Sequence, residues 1–313
     1  MWRDIDPRPM ERERPEPGRG RVGGSTEIEP VAASEDPRDV FTRDLDLPRG
    51  PSRERVRANN REYRLSGDDV RVLATVGAFR VVPATDLREP NPRTPTRPAR
   101  DLERLRELGL VRTTPYVTGR TRTTLVTLTG EGREVLERGR RLGAGEGRQE
   151  FYVGVRKPRE LAHDSRVYGA YVRAADRIAE RGDRVRRVVL EEELKREYQR
   201  FLQADSRARR ENGGGSDGRE EAIARWAQEH ELPHEDGHVQ LPDARIEYED
   251  RDGRRAVEDI EVVTPHYRGA HAAAKARSGF TRYRAFGARL GGLRTIGRSG
   301  RSIDPRLAEE LLS

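Results

Sequence analysis

LPDARIEYEDRDGRRAVEDIEVVTPHYRGAHAAAKARSGFTRYR, residues 241–284, is the stretch whose reading decides the fold. Asp243, Arg245 and Glu247 alternate with Ala244, Ile246 and Tyr248, the two-residue period of a half-buried strand. Asp252-Gly253 then supplies a hairpin turn. In the return run Val257, Asp259, Glu261 and Val263 share one face and Ala256, Glu258, Ile260 and Val262 the other, because successive side chains point to opposite sides. Asp259 and Glu261 therefore project together. Fifteen residues lie between Asp243 and Asp259, and a tight hairpin of that length brings the two acids side by side. Converging carboxylates are what a hard divalent cation needs. The alternative is an ordinary solvated strand face, since 37% of the chain is charged and chance alignments of acids are cheap. Against that, the acids interrupt IEVV, the most apolar strand of the second half, where charge costs energy unless it is compensated.

The surroundings of this hairpin extend the pattern. After it, a helix is expected from about Ala270, packing Ala273, Phe280, Tyr283 and Leu290 and carrying His271, Lys275 and Arg282 on its other side. Before it, Leu161, Val167, Tyr168, Tyr171 and Ile178 form an amphipathic helix, followed by a strand in VRRVVLEEEL. A helix near 191–203, a loose run RARRENGGGSDGRE and a helix around Ala222 to His230 come next. The core order is α, β, a long insertion, β, β, α. His234 and His238 in PHEDGH read as loop residues exposed to solvent, and His163-Asp164 as a surface pair.

The first half has a different grammar. Ser66 followed by Asp69 marks a helix start, with Leu65, Val70, Leu73 and Ala74 as its apolar stripe. Pro83 to Leu87 fits a short second helix, and a third runs from Pro98 with Leu102, Leu105 and Leu108 inward until Gly109. Two β-prone runs, LVRTTPYV and RTTLVTLT, flank Thr118-Gly119-Arg120, and a helix starts from Thr129 in LTGEGREVLE. Helix, helix, helix, hairpin, helix is winged-helix order. In that fold the third helix enters the DNA major groove and the wing touches backbone, so Arg93, Arg97, Arg100, Arg104, Arg120 and Arg122 are the candidate DNA contacts. The alternative for such helices is protein pairing.

Composition bounds the remainder. The 313 residues hold 33% apolar and 5% aromatic side chains, room for two modest cores. Residues 1–60 mix Pro, Gly, Arg and Glu without periodicity and read as a disordered tail. Within it Val40, Phe41, Leu45 and Leu47 offer either a docking segment or, as we expect, a plain linker. The expected division is a winged-helix domain at 61–142, a Gly-rich linker at 143–150, a second domain at 151–300 with a flexible insertion near 204–220, and a tail at 301–313. No run approaches a membrane span and no apolar leader follows the start, so a cytoplasmic protein is expected. The absence of cysteine excludes disulfides and thiolate zinc sites. A net charge of +7 favours an anionic partner, nucleic acid first. Neither a P-loop nor a G-x-S-x-G elbow occurs, which argues against NTPase and hydrolase chemistry.

Pro242-Asp243, Asp259-Ile260-Glu261 and the α, β, β, β, α order resemble the PD-(D/E)xK nuclease superfamily, and LRELGLV with its wing leading into LTGEG resembles bacterial winged helices. Joined, over roughly 65–295, they are similar to the replication-relaxation protein family of bacterial plasmids and integrative elements. The resemblance implies an α+β and α/β chain of two domains, a winged helix followed by a restriction-endonuclease-like αβββαβ core. It implies Mg²⁺ held by Asp243, Asp259 and Glu261, and a role in replication or mobilisation, with double-stranded DNA as partner. Replication or relaxase proteins of the same element and a second copy of the chain are further partners it suggests. One departure is plain: the superfamily's lysine is here Glu261, and Lys275 on the next helix is the substitute we expect. An accessory DNA-binding protein with a nuclease-like domain, an active Mg²⁺-dependent endonuclease and a winged-helix regulator all remain open.

Overall fold

Ser66 starts the first long helix for the reason its spacing from Asp69 predicts. Its hydroxyl accepts from the Asp69 N–H while the Asp69 carboxylate accepts from the Ser66 N–H, so two otherwise orphaned donors are satisfied. A computed structural model describes residues 36, 38–87, 98–118, 121–141, 147–155, 161–211, 218–263, 277–284 and 295–296. A 3-10 helix at Asp39–Thr42 precedes the hairpin β1 (Glu54–Ala58) and β2 (Arg61–Leu65). Then come α1 (Gly67–Phe79), β3 (Val82–Pro83), α2 (Pro98–Glu107), β4 (Val111–Thr118), β5 (Thr121–Leu128) and α3 (Gly130–Arg138). The second half holds α4 (Leu161–Glu180), β6 (Arg184–Leu190), α5 (Glu191–Glu211), α6 (Arg219–Glu229), β7 (His234–Glu235), β8 (His238–Val239), β9 (Ala244–Glu249), β10 (Arg255–Val263), β11 (Thr281–Arg284) and β12 (Thr295–Ile296). No helix among the described residues is long and apolar enough to cross a membrane.

In the first half β3, β5 and β4 form an antiparallel sheet in that order, with Val82 opposite Val126 and Val111 opposite Leu128. The expected helix at Pro83 to Leu87 is absent. Val82-Pro83 pairs with β5 instead and 84–87 is a turn, because Val81 and Val82 are fully buried and draw the chain into the sheet. Thr129 caps α3 as predicted, accepting from the Gly132 N–H at 3.1 Å.

The second half is built on a five-stranded sheet ordered β12, β11, β10, β9, β6, in which only β10 and β11 run parallel. The predicted hairpin is in place, with Gly253 at φ +75° in its turn. One sheet face is apolar: Val188, Ile246, Ile260, Val262 and Tyr283 are buried there in one cluster with Val167, Tyr171, Ala174 and Ile178 of α4.

Four expectations are corrected. Residues 39–65 belong to the folded body, because Val40, Phe41 and Leu45 are buried and β1 pairs with β2. Phe41 lies edge-on to Phe79 of α1 at 5.4 Å and tilted against Tyr171 of α4 at 5.4 Å, so the presumed linker docks between the two halves. The boundary at 143–150 separates no cores either. Gln149 exchanges hydrogen bonds with Val188 of β6 at 2.9 Å each way, Tyr152 N–H bonds Gly77 of α1, and α1 and α4 share a single hydrophobic cluster. Residues Asp36–Ser313 thus make one compact unit. The insertion near 204–220 is helical through Glu211. The helix expected to run from 270 to 290 stops before Gly279, at φ +74°, and Tyr283 and Arg282 lie on β11.

Candidate functional site

Asp259 and Glu261 share one face of β10, the face away from Ile260 and Val262, as the alternation requires. The hairpin register puts Arg245 directly opposite Asp259. Its guanidinium holds both carboxylate oxygens, Nε to Oδ1 at 2.7 Å and Nη2 to Oδ2 at 2.9 Å, a planar fork matched to a planar acceptor. Nη1 and Nη2 also donate to the carbonyls of His230 and Glu231, at 2.5 and 3.1 Å, and so tie the end of α6 to the sheet. Both partners are nearly sealed, with Arg245 and Asp259 side chains 7% and 11% exposed.

Asp243 sits where β9 begins. Its N–H bonds the Ile260 carbonyl at 3.0 Å and its Oδ2 accepts from the Val262 N–H at 2.7 Å, so its carboxylate takes over a ladder position of the sheet. His163, in the first turn of α4, donates Nε2 to the same oxygen at 2.9 Å. Burial alone would lower the His163 pKa, but hydrogen bonds to Asp164 and Asp243 outweigh it and push the value up to about 10. At neutral pH a cation therefore faces Asp243. Glu261 is fully buried, and the parallel register sets it beside Arg282 of β11.

The same pairing governs the rest of the hairpin. Glu247 receives a two-pronged contact from Arg187 of β6 at 2.8 and 2.9 Å, Glu258 an Arg177 contact at 2.5 Å, and Glu249 an Arg186 contact at 3.0 Å. Arg187 also reaches Glu193 at the start of α5 at 3.0 Å. Burial raises the Glu193 pKa to about 7 in spite of Arg187.

A hard cation needs several carboxylate oxygens converging on one point. Both Asp259 oxygens turn to the Arg245 guanidinium, and among the described residues no three His, Asp or Glu side chains form a group that could hold a metal ion, so the donor set does not fit Mg²⁺ as it stands. The structure thus brings Asp243, Asp259 and Glu261 to one end of one hairpin, but Asp243 and Asp259 are paired with His163 and Arg245, and Glu261 is buried. Lys275 and His271 lie outside the described residues. Sequence reasoning misses the roles of Arg245 and His163, which it presents as a strand residue and a surface group.

In the first half, Arg122 on β5 is exposed, opposite the last residues of β4, where Val117 is 64% exposed. Arg104 does not face outward as expected: it turns in to the Asp69 carboxylate and donates to the Arg64 carbonyl at 2.9 Å. Arg100 belongs to α2, but its side chain, with Arg93, Arg97 and Arg120, lies outside the described residues.

Comparisons with protein-family models, with curated proteins and with solved structures return no match.

Proposed function

We propose that this chain is a DNA-binding protein in which a winged helix is fused rigidly to a nuclease-like sheet that binds without cutting. The observation carrying this reading is the closed Arg245–Asp259 pair inside the hairpin where a nuclease of this topology would place its acids. Support for nuclease ancestry comes from the helix α4 ahead of the antiparallel strands β6, β9 and β10, with β11 parallel to β10 and Asp243 at the start of β9. Support for DNA contact comes from the β3, β5, β4 sheet behind α1 and α2, the exposed Arg122 and the excess of basic residues. The resemblance to the replication-relaxation family adds a role in replication or mobilisation of a mobile element, alongside other proteins of that element.

Two measurements test this. Fluorescence anisotropy with labelled duplex should show salt-sensitive binding that Arg122→Ala weakens. Supercoiled plasmid incubated with Mg²⁺ or Mn²⁺ should stay supercoiled with wild type, as with Asp259→Ala. Metal-dependent nicking by wild type that Asp259→Ala abolishes would overturn the non-cutting reading and leave an active endonuclease.

A further inference from the structure

We infer that the β1–β2 hairpin is a second DNA-contacting element, gripping the phosphate backbone beside α2. The inference rests on the DNA-binding reading above and assigns a partner surface to residues outside the winged helix proper. Alternation along the hairpin buries Val56, Ala58, Tyr63 and Leu65 against the body and turns Arg55, Arg57 and Arg64 to solvent, while Arg61, on the face of Tyr63, is exposed because it adjoins the turn. Asn59 and Asn60, at φ +48° and +58°, close it with a two-residue turn of the kind that matches strand twist, so these arginines are displayed on a stiff frame.

Charge is one-sided there. Residues 53–64 hold five arginines against Glu54 and Glu62. Arg55 and Arg57 both lean on the single carboxylate of Glu62, at 3.4 and 3.7 Å, while 67% and 84% exposed. Ion pairs so open to water hold an arginine weakly and yield readily to a phosphate, for which the guanidinium fork is suited. Two residues along a strand span about 7 Å, so the two side chains reach neighbouring phosphates of one DNA strand.

The hairpin is fastened to α2. Arg104 of α2 donates to the Arg64 carbonyl, and Arg53 pairs with Asp101 of α2 at 3.2 Å. On α2 itself the exposed described positions are Glu103, Arg106 and Glu107, with Arg106 tied to Glu103, so they add no positive charge. The positive surface next to this helix is supplied by β1 and β2. An acidic protein would find the same arginines, but guanidinium forks repeated at strand spacing match the regular phosphates of a duplex, and duplex DNA is the partner we assign.

The test uses the full chain. Arg55→Gln/Arg57→Gln/Arg61→Gln removes three exposed charges, and circular dichroism and the thermal midpoint should match wild type. Duplex affinity should fall at least tenfold near 0.1 M salt, and the slope of log K against log salt should flatten by about 0.9 for each phosphate that the variant no longer neutralises. The fall should be alike for unrelated sequences. Arg55→Glu/Arg57→Glu should weaken binding further. Unchanged affinity and slope in both variants, while Arg122→Ala still weakens binding, would overturn the hairpin's role and leave the winged-helix reading standing. Absence of duplex binding by wild type would overturn both.

Discussion

Arg245 stands opposite Asp259 across the β9–β10 hairpin and holds both of its carboxylate oxygens within 2.9 Å, in a place where water hardly reaches either group. That relationship decides what the acids of this hairpin do, and it is open to direct test.

Removing one partner leaves the other charge buried and alone. Arg245→Ala should cost about 3–5 kcal/mol of unfolding free energy in urea, whereas Arg245→Met/Asp259→Leu should recover most of it. Adding Mg²⁺ should leave the wild-type midpoint unchanged. A midpoint that climbs with Mg²⁺ in wild type would show Asp259 exchanging its arginine for a cation.

Phe41 joins two halves that the sequence presents as separate domains. Phe41→Ala should cost about 3–5 kcal/mol through the cavity left between Phe79 and Tyr171. Because α1 and α4 lie in one cluster, calorimetry should record a single transition for the unit, with no independent early melting of the first half.

His163 is held protonated against Asp243, with a pKa near 10. Folding raises this pKa, so its contribution to stability is complete below about 6.5 and is lost as pH rises through 10. Wild type should lose about 2 kcal/mol across that window relative to His163→Gln, less than the full shift implies since the ring is still partly open to water. Urea midpoints at pH 6, 8 and 10 read the difference. Parallel curves for the two proteins would show that the ring is not charged in the folded state.

Glu193 behaves in the same sense lower on the scale. Burial raises its pKa from 4.5 to about 7, so its contribution to stability is complete below about 4.5 and is lost as pH rises through 7. Glu193→Gln keeps an acceptor for Arg187 and removes the charge. It should flatten that decline by about 2 kcal/mol.

The two glycines of LTGEG differ. A Cβ on Gly132 would meet the Leu110 carbonyl oxygen at 2.2 Å, while one on Gly130 would meet nothing within 4 Å. Gly132→Ala should destabilise by about 1–3 kcal/mol, and Gly130→Ala should be neutral or slightly stabilising. Equal effects would place the close approach elsewhere.

Much of the candidate site is legible in residue order. The alternation around Asp259 and Glu261, the turn at Asp252-Gly253, the capping pair Ser66 and Asp69 and the α4 stripe are local patterns, and each lies where its spacing predicts. The pairing of Arg245 is not legible by counting: a two-residue turn at Asp252-Gly253 would set it opposite Ile260, and the five-residue loop at 250–254 shifts the register by one, to Asp259. Other features are not legible either. The Val82-Pro83 strand, β1–β2 in an Arg-rich stretch and β11 beyond Gly279 are short runs whose preference is weak until a neighbouring strand offers hydrogen bonds.

By itself, then, the order of residues determined that an acid-bearing hairpin, a capped helix and a second strand pair leading into a Thr129-capped helix exist, because hydrophobic period and caps act over a few residues. Only the tertiary structure decided that Phe41 seals one core shared by both halves, that Arg104 turns inward and that the acids are spent on Arg245 and His163. Those outcomes depend on which side chains meet across 35 to 130 positions of chain, or, for Arg245, on which of several nearby cations wins the carboxylate, and burial settles that competition by penalising every charge left without a partner.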